Sequence, residues 1–440
     1  MAVWWSGLEE MHLSNSWNAL DVTPSAKRLT SSLRDIGYDF VSAIADIVDN
    51  SISANATRID IELTFEGEYS HIVIADNGTG MSPRDLTEAL RFGSRREYGS
   101  DELGRYGLGL KTASLSQCKR VTVVTRKARI QRRLSTRTLD LDHIIATDRW
   151  ELTGVPDESR AHKALEWLDQ STGTVVVWER LDRILPAGRE GGGGARRRMN
   201  SLGTKLVAHL AAVFHRFIEG RVDNLEPLTI TVNGEKVAPW NPFAPDEEHL
   251  VALPTREFQA WAGEASGTVT FSPYVLPARS LFSSAEEFER LSGSAKWNRQ
   301  QGLYIYRANR LIQAGGWCGL RAIDEHTKLA RAAIDFAPDL DEMFRINVAK
   351  MRAALPVEIA PLLEPHVTDL CHRAQEMYRR DHKTEASHDS AQRSFFDRSA
   401  GDVGGAILSA ALATGTADAI SRIAGYLRVE QPDLAEALGW

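Results

Sequence analysis

The apolar positions change period several times along the chain. From Lys27 to Ala54, Leu29, Leu33, Ile36, Phe40, Ile44, Ile47 and Val48 recur at helical spacing, and Gly37 divides the stretch into two helices. Thr57 to Leu63 alternates strictly, the pattern of a half-buried strand, and His71 to Ala75 reads as a second strand. Pro83 opens a helix carrying Leu86, Ala89 and Leu90. Phe92 to Leu103 is polar and reads as a mobile loop. A helix then begins near Gly107 and runs through Leu115, and Val121 to Val124 and Thr174 to Trp178 read as strands. Helices fall in blocks between antiparallel-looking strands. That predicts an α+β sandwich rather than a doubly wound parallel sheet.

The second half reads as a separate domain. Gly191 to Gly194 is a run of glycines that holds a fixed backbone only at high entropic cost, so 188–198 reads as a flexible loop at a boundary. Beyond it, Leu202 to Ile218 is an amphipathic helix. Asn233-Gly234 between two β-rich runs predicts a hairpin with a type I′ turn. Val269 to Leu276, Leu303 to Tyr306 and Arg331 to Phe336 read as strands. Leu340 to Leu355 and most of Val357 to Tyr378 read as helical, Arg379 to Arg398 as a linker, and 403–437 as helices.

Composition narrows the class. Of 440 residues, 43% are hydrophobic and 25% charged, the mix of a globular protein. A net charge of −7 over this length gives no reason to expect general coating of DNA or membrane, though Arg196-Arg197-Arg198 and Arg126 to Arg137 are local basic patches. The three cysteines, Cys118, Cys318 and Cys371, are far apart, so structural thiols in a reducing, cytoplasmic setting are expected. The most apolar late run, Val403 to Thr416, falls short of the ~20 residues that span a bilayer. No membrane partner is expected, and a packed or self-associating helix fits this run better.

Three polar signals carry candidate chemistry. Asp76-Asn77-Gly78-Thr79-Gly80-Met81 follows an apolar strand. Asp76 is placed to accept from a flat donor such as an adenine amino group, and Gly78 and Gly80 allow close approach. The same residues also suit an ordinary turn. Gly104, Gly107 and Gly109 open a helix, where backbone N–H groups form an anion nest, and Lys111 adds a positive charge. The order G-x-x-G-x-G, with Leu110 before Lys111, excludes both a P-loop and a dinucleotide fingerprint. Asp46 and Asn50, four apart, share a helix face that Asp49 flanks. Asn50 offers an uncharged oxygen suited to Mg²⁺, and Asp46 a carboxylate able to polarise water toward a γ-phosphate. A solvated polar face is the bland alternative.

Together, Asp46 to Asn50, Asp76 to Met81 and the run Gly104, Arg105, Tyr106, Gly107, Leu108, Gly109, Leu110, Lys111 resemble the N, G1 and G2 boxes of the GHKL ATPases. Ser171 to Val175 is similar to the family's last motif, which puts Thr174 beside the adenine-binding Asp. Tyr304 to Ile312 resembles a strand of MORC-like members, in which a second domain, the transducer, supplies a lysine to the γ-phosphate. Lys350 lies where that lysine is expected. The resemblance covers about residues 30–355. It implies a Bergerat-fold α/β sandwich, a ribosomal-S5-like transducer domain and a helical tail. The corresponding segments are an arm (1–26), an ATPase domain (27–187), the glycine loop (188–198), the transducer (199–378) and a linker with helical tail (379–440).

The resemblance further implies Mg²⁺ and ATP as ligands, slow hydrolysis, a homodimer formed through the ATPase domains, and action on DNA or a partner protein, with bacterial defence as the setting. One departure stands out: where the family usually has Glu to activate water, this chain has Asp46. That keeps open a nucleotide-gated scaffold without turnover. A histidine kinase is disfavoured because only His12 lies upstream of the first motif, and a chaperone because its client-binding domains are absent.

Overall fold

The computed structural model describes residues 24–35, 38–92, 109–127, 134–168, 172–185, 192–262, 265–293, 296–346, 353–396 and 400–440. The first helical stretch divides as its pattern predicts, into α1 (Ala26–Leu33) and α2 (Phe40–Ser53), with Asp39 capping α2 by accepting from the Ser42 amide. After β1 (Arg58–Thr64) and β2 (His71–Asp76), α3 (Pro83–Leu90) opens on a Ser82/Asp85 capping box with Pro83 in its first turn. α4 (Gly109–Leu115), β3 (Arg120–Arg126), β4 (Ser135–Asp140), α5 (Leu141–Thr147) and β5 (Gly173–Glu179) follow.

α6 (Gly193–Val213) and α7 (His215–Ile218) lead to the hairpin β6 (Thr229–Val232) and β7 (Glu235–Lys236). The turn is the expected one: Asn233 and Gly234 have φ of 52° and 85°. The Asn233 side chain also accepts from the Leu63 amide at 2.8 Å, fastening the hairpin to β1.

These strands form one sheet in the order β4-β3-β5-β2-β1-β6-β7, parallel only between β1 and β6. β2 is its middle strand. Alternation sends Val73, Ala75, Val175 and Val177 to one face, where they pack against Ala161 and Leu168 of a 3-10 segment, Arg160–Leu168. Trp178, of opposite parity, donates to Ser114 of α4 at 2.8 Å on the other face. Both faces are therefore covered.

The described residues fall into two units. The first takes those up to 92, 109–205 and 229–236, and the second 206–228 and 237–440. The second holds β8 (Val251–Ala252), β9 (Arg256–Ala262), β10 (Ala265–Val275), α8 (Ala285–Ser292), α9 (Trp297–Gln300), β11 (Gly302–Arg307), β12 (Arg310–Gln313) and β13 (Ala330–Phe336). Its sheet runs β12-β11-β13-β10-β8, with β9 on β10. Phe271, Leu303, Ile305 and Ile334 pack in one core with Leu363, Val367 and Leu370 of α10 (Ala360–Phe396). α11 (Ala400–Ala413), α12 (Ala417–Glu430) and α13 (Pro432–Ala437) complete the chain.

Several expectations change. α6 begins at Gly193, inside the stretch read as a loop, because Ala195 and Met199 bury one face of a helix four residues apart. The supposed linker 379–398 continues α10 as far as Phe396, since no Pro or Gly interrupts it. Leu340 to Leu355 is not one helix: a 3-10 turn, Pro338–Leu340, leads into turns, and Arg345 has φ of 48°. β4 and α5 lie in a stretch to which the pattern assigned nothing. Cys118 and Cys371 are buried free thiols, and burial pushes both up, Cys371 to about 11, so both are poor nucleophiles. No described helix is long and apolar enough to cross a membrane.

Candidate functional site

Asp76 ends β2 with its side chain on the helix-covered face. One carboxylate oxygen accepts from the Ser51 hydroxyl of α2 at 3.0 Å. The other accepts from the Gly78 amide at 2.9 Å and the Thr174 amide at 3.2 Å. Enclosure raises the carboxyl above its ordinary range, and the donors from Gly78, Ser51 and Thr174 work against that shift. The group is thus fixed in place at the end of the middle strand.

The loop after Asp76 needs its glycines. A side chain at Gly78 would sit 2.8 Å from the Ala54 carbonyl, to which the Thr79 amide donates at 2.9 Å. Gly80 has φ of +66°, and a Cβ there would lie 2.0 Å from the Arg126 carbonyl. Asn77 has a structural role: its side chain accepts from the Thr57 and Arg58 amides and donates to the Thr57 hydroxyl, tying the loop to β1. The Met81 amide donates to the Thr125 hydroxyl of β3 at 2.9 Å.

Thr125 lies directly opposite Thr174 in the β3–β5 register, their hydroxyls 3.1 Å apart. It donates to the Gly173 carbonyl at 2.9 Å as well. Ser51 and Thr125 are site residues that sequence reasoning missed. Ser51 follows Asn50 within the first motif and could have been found there, whereas Thr125 depends on strand register.

On α2, Asp46 and Asp49 are buried and Asn50 is exposed. The two positions four apart therefore lie at different depths. The Tyr38 hydroxyl donates to Asp46 Oδ2 at 2.7 Å. A Cβ on Gly109 would lie 3.4 Å from the same oxygen, so the first residue of α4 faces Asp46 directly.

Lys111 departs from the expectation. It is fully buried, and its ammonium donates to the Ala89 carbonyl at 3.3 Å and, more closely, to the Arg91 carbonyl, at the C-terminal end of α3. Burial lowers its pKa to about 8, with Glu88 opposing. It caps the C-terminal end of α3 instead of presenting a charge outward. Leu110 is half-buried in α4. Gly104, Tyr106, Gly107, Leu108 and Lys350 lie outside the described residues, as does nearly all of the loop expected at Phe92 to Leu103.

The described geometry brings Asp76, Gly78, Gly80, Met81 and Thr174 together, and sets Asp46 beside Gly109. Comparison with known proteins places this stretch of sequence within a family. Residues 38–174 match the family model described as histidine kinase-, DNA gyrase B- and HSP90-like ATPase. The human "ATPase MORC2" is 36% identical over 91 residues, 19% of this chain and 9% of that protein. "Protein MICRORCHIDIA 5" of Arabidopsis thaliana is 34% identical over 82 residues, covering 17% and 12%. "DNA mismatch repair protein MutL" of Rhodospirillum rubrum is 35% identical over 91 residues, covering 20% and 14%. The matched stretch is a small part of each of these relatives. Within the first unit, residues 38–174 form a GHKL-type ATPase domain, and the chain is similar over short stretches to MORC and MutL proteins.

Proposed function

We propose that the first unit binds Mg-ATP and hydrolyses it slowly, and that nucleotide closes a homodimeric clamp that acts on DNA or a partner protein. The observation that carries the reading is the clasp on Asp76. One carboxylate is held by two backbone amides and a hydroxyl beside a loop that two glycines keep free of side chains. Asp76 accepts from the adenine amino group in this reading, and Thr174 and Thr125 hold the far wall. The segment Gly104 to Lys111 is the candidate phosphate-binding run, and Lys111 ties its last turn to the end of α3.

A Mg²⁺ ion fits one exposed amide oxygen, Asn50, better than a dedicated protein cage. Among the described residues no three His, Cys, Asp or Glu side chains are grouped to hold a metal. Mg²⁺ usually keeps waters and phosphate oxygens, so one protein ligand suffices. The ion would neutralise phosphate charge.

Asp46 takes a proton from water as the water oxygen bonds to the γ-phosphorus. The bond from that phosphorus to the bridging oxygen breaks, and its electron pair leaves with ADP. Lys350, outside the described residues, is the candidate γ-phosphate cation that the family resemblance implies, and the second unit is read as a transducer. Exposed Arg196, Arg197 and Arg198 on α6 support a polyanion partner, and a role in bacterial defence follows only from the family.

Titration with a non-hydrolysable ATP analogue tests the site. Asp76→Asn and Asn50→Ala should each weaken Mg-dependent binding, Asp76→Asn by about a hundred-fold or more. Unchanged affinity in both would remove the assignment. Light scattering with and without the analogue tests the clamp, and a constant mass would argue against nucleotide-driven dimerisation. The second reading, a nucleotide-gated scaffold without turnover, is favoured by one observation: Asp46 where the family uses Glu.

A further inference from the structure

The hydroxyl on Asp46 comes from a residue outside every motif. Tyr38 precedes Asp39, the cap of α2, and its ring folds back along two helical turns to reach a carboxylate eight residues on. Both groups are buried, Tyr38 at 7% exposure and Asp46 at 2%. Tyr38 is itself held: Gln117, just beyond α4, donates from Nε2 to the Tyr38 carbonyl at 3.1 Å and to the Ser116 hydroxyl at 2.8 Å. The other end of α4 begins at Gly109, which faces the same Asp46 oxygen that Tyr38 grips. One short helix thus approaches Oδ2 at its first residue and braces the tyrosine just past its last.

We propose that Tyr38 is the positioning residue for the water-activating carboxylate: its hydroxyl fixes Asp46 by Oδ2, so that the carboxylate is held in place to receive the proton from the attacking water. The proposal rests on the reading of Asp46 as that group. Its physical basis is geometric. Asp is one methylene shorter than Glu, so it has less reach with which to correct a misaimed carboxylate. A directed hydrogen bond of 2.7 Å restricts its motion. Misplacement of a catalytic group by about 1 Å can cost on the order of a hundred-fold in rate. A hydrogen bond to the ionised carboxylate also favours the form able to accept a proton. The bond links the hydrolytic group to α4 through Gln117, so a movement of α4 is transmitted to Asp46.

The test compares wild type, Tyr38→Phe, Asp46→Ala and the double variant, with steady-state phosphate release across pH and with affinity for a non-hydrolysable ATP analogue. Phe keeps the buried ring, and an unchanged melting temperature checks the fold. Tyr38→Phe is expected to lower kcat about ten- to hundred-fold. KM and analogue affinity should stay within about two-fold, and the acid limb of the kcat profile should move up by about one pH unit. In the Asp46→Ala background the same change should cost nothing further, because Tyr38 acts through Asp46.

A Tyr38→Phe variant with wild-type kcat and an unmoved acid limb overturns the inference while leaving Asp46 as the base. An equal loss in both backgrounds overturns it too, placing Tyr38 on a separate path. Wild-type turnover in Asp46→Ala removes the base assignment, and the inference with it. If Tyr38→Phe lowers the melting temperature, Gln117→Ala supplies the second variant. It should reproduce the kcat loss with analogue affinity kept, and wild-type kcat there overturns the α4 linkage.

Discussion

Asp76 and Asp46 are two carboxylates of the first unit held in opposite ways. Asp76 meets two backbone amides and a serine hydroxyl, on a strand end whose neighbours fix its register. Asp46 is gripped by a tyrosine from the turn before its own helix. Recognition of a flat base needs a static acceptor, and backbone donors provide one that most side-chain substitutions leave intact. Proton transfer needs one oxygen aimed to within a fraction of an ångström, and on the proposed reading that aim depends on a side chain. On the same reading, the adenine end should be disturbed chiefly through its backbone frame, and the hydrolytic end through one side chain.

Asp46→Ala draws the contrast most sharply. Phosphate release should fall by about 10²- to 10⁴-fold while analogue affinity stays near wild type. Asp76→Asn should do the reverse, losing affinity first. If both variants lose binding together, the two carboxylates are not functionally separate and the comparison fails.

Gly80→Ala tests whether the adenine end is as rigid as its hydrogen bonds suggest. The backbone is in the left-handed region and the new methyl would meet the Arg126 carbonyl at 2.0 Å. Backbone strain and the displaced strand end should cost about 3 kcal/mol in urea unfolding, with nucleotide binding lost in proportion. A loss below about 1 kcal/mol would mean the loop relaxes easily, and that Asp76 is not held by a stiff frame.

What could be read in the chain beforehand follows the same division. Asp76, Gly78, Gly80 and the two helices before them were legible because each depends on neighbours within a few residues. Thr125 was not, because its role exists only through register: it faces Thr174 across two strands 49 residues apart. Tyr38 was invisible for a related reason, since nothing in a helix-start pattern says that a preceding ring will fold back over two turns. β4 escaped because Ser135–Asp140 is polar and buries only Thr138, Leu139 and Asp140 fully. Lys111 was read as a phosphate ligand from its spacing, yet packing turned it to the end of α3.

Thr125→Val carries the comparison to the far wall. It removes the hydroxyl that accepts from Met81 and meets Thr174, while keeping the buried shape. Leaving those groups without their partner should cost about 2 kcal/mol, shared between stability and analogue affinity, with kcat of bound nucleotide unchanged. A fall in kcat at saturating ATP would place Thr125 in the hydrolytic half instead.

Lys111 gives the smallest effect, and it is read through pH. Its pKa is about 8 in the folded protein and 10.5 ordinarily. Between those values the unfolded chain holds a proton that the folded chain has released, so the unfolded state binds more protons and stability rises with pH. From pH 8 to 9 this group should add about 1 kcal/mol to the unfolding free energy. Lys111→Met removes that contribution, so urea unfolding of the two proteins at pH 8 and pH 9 should show the wild type gaining and the variant not. Equal gains would mean that the buried amine keeps its proton throughout, held by the Ala89 and Arg91 carbonyls as a full charge. The end of α3 would then be held by a buried full charge on its carbonyls, and not by a neutral amine.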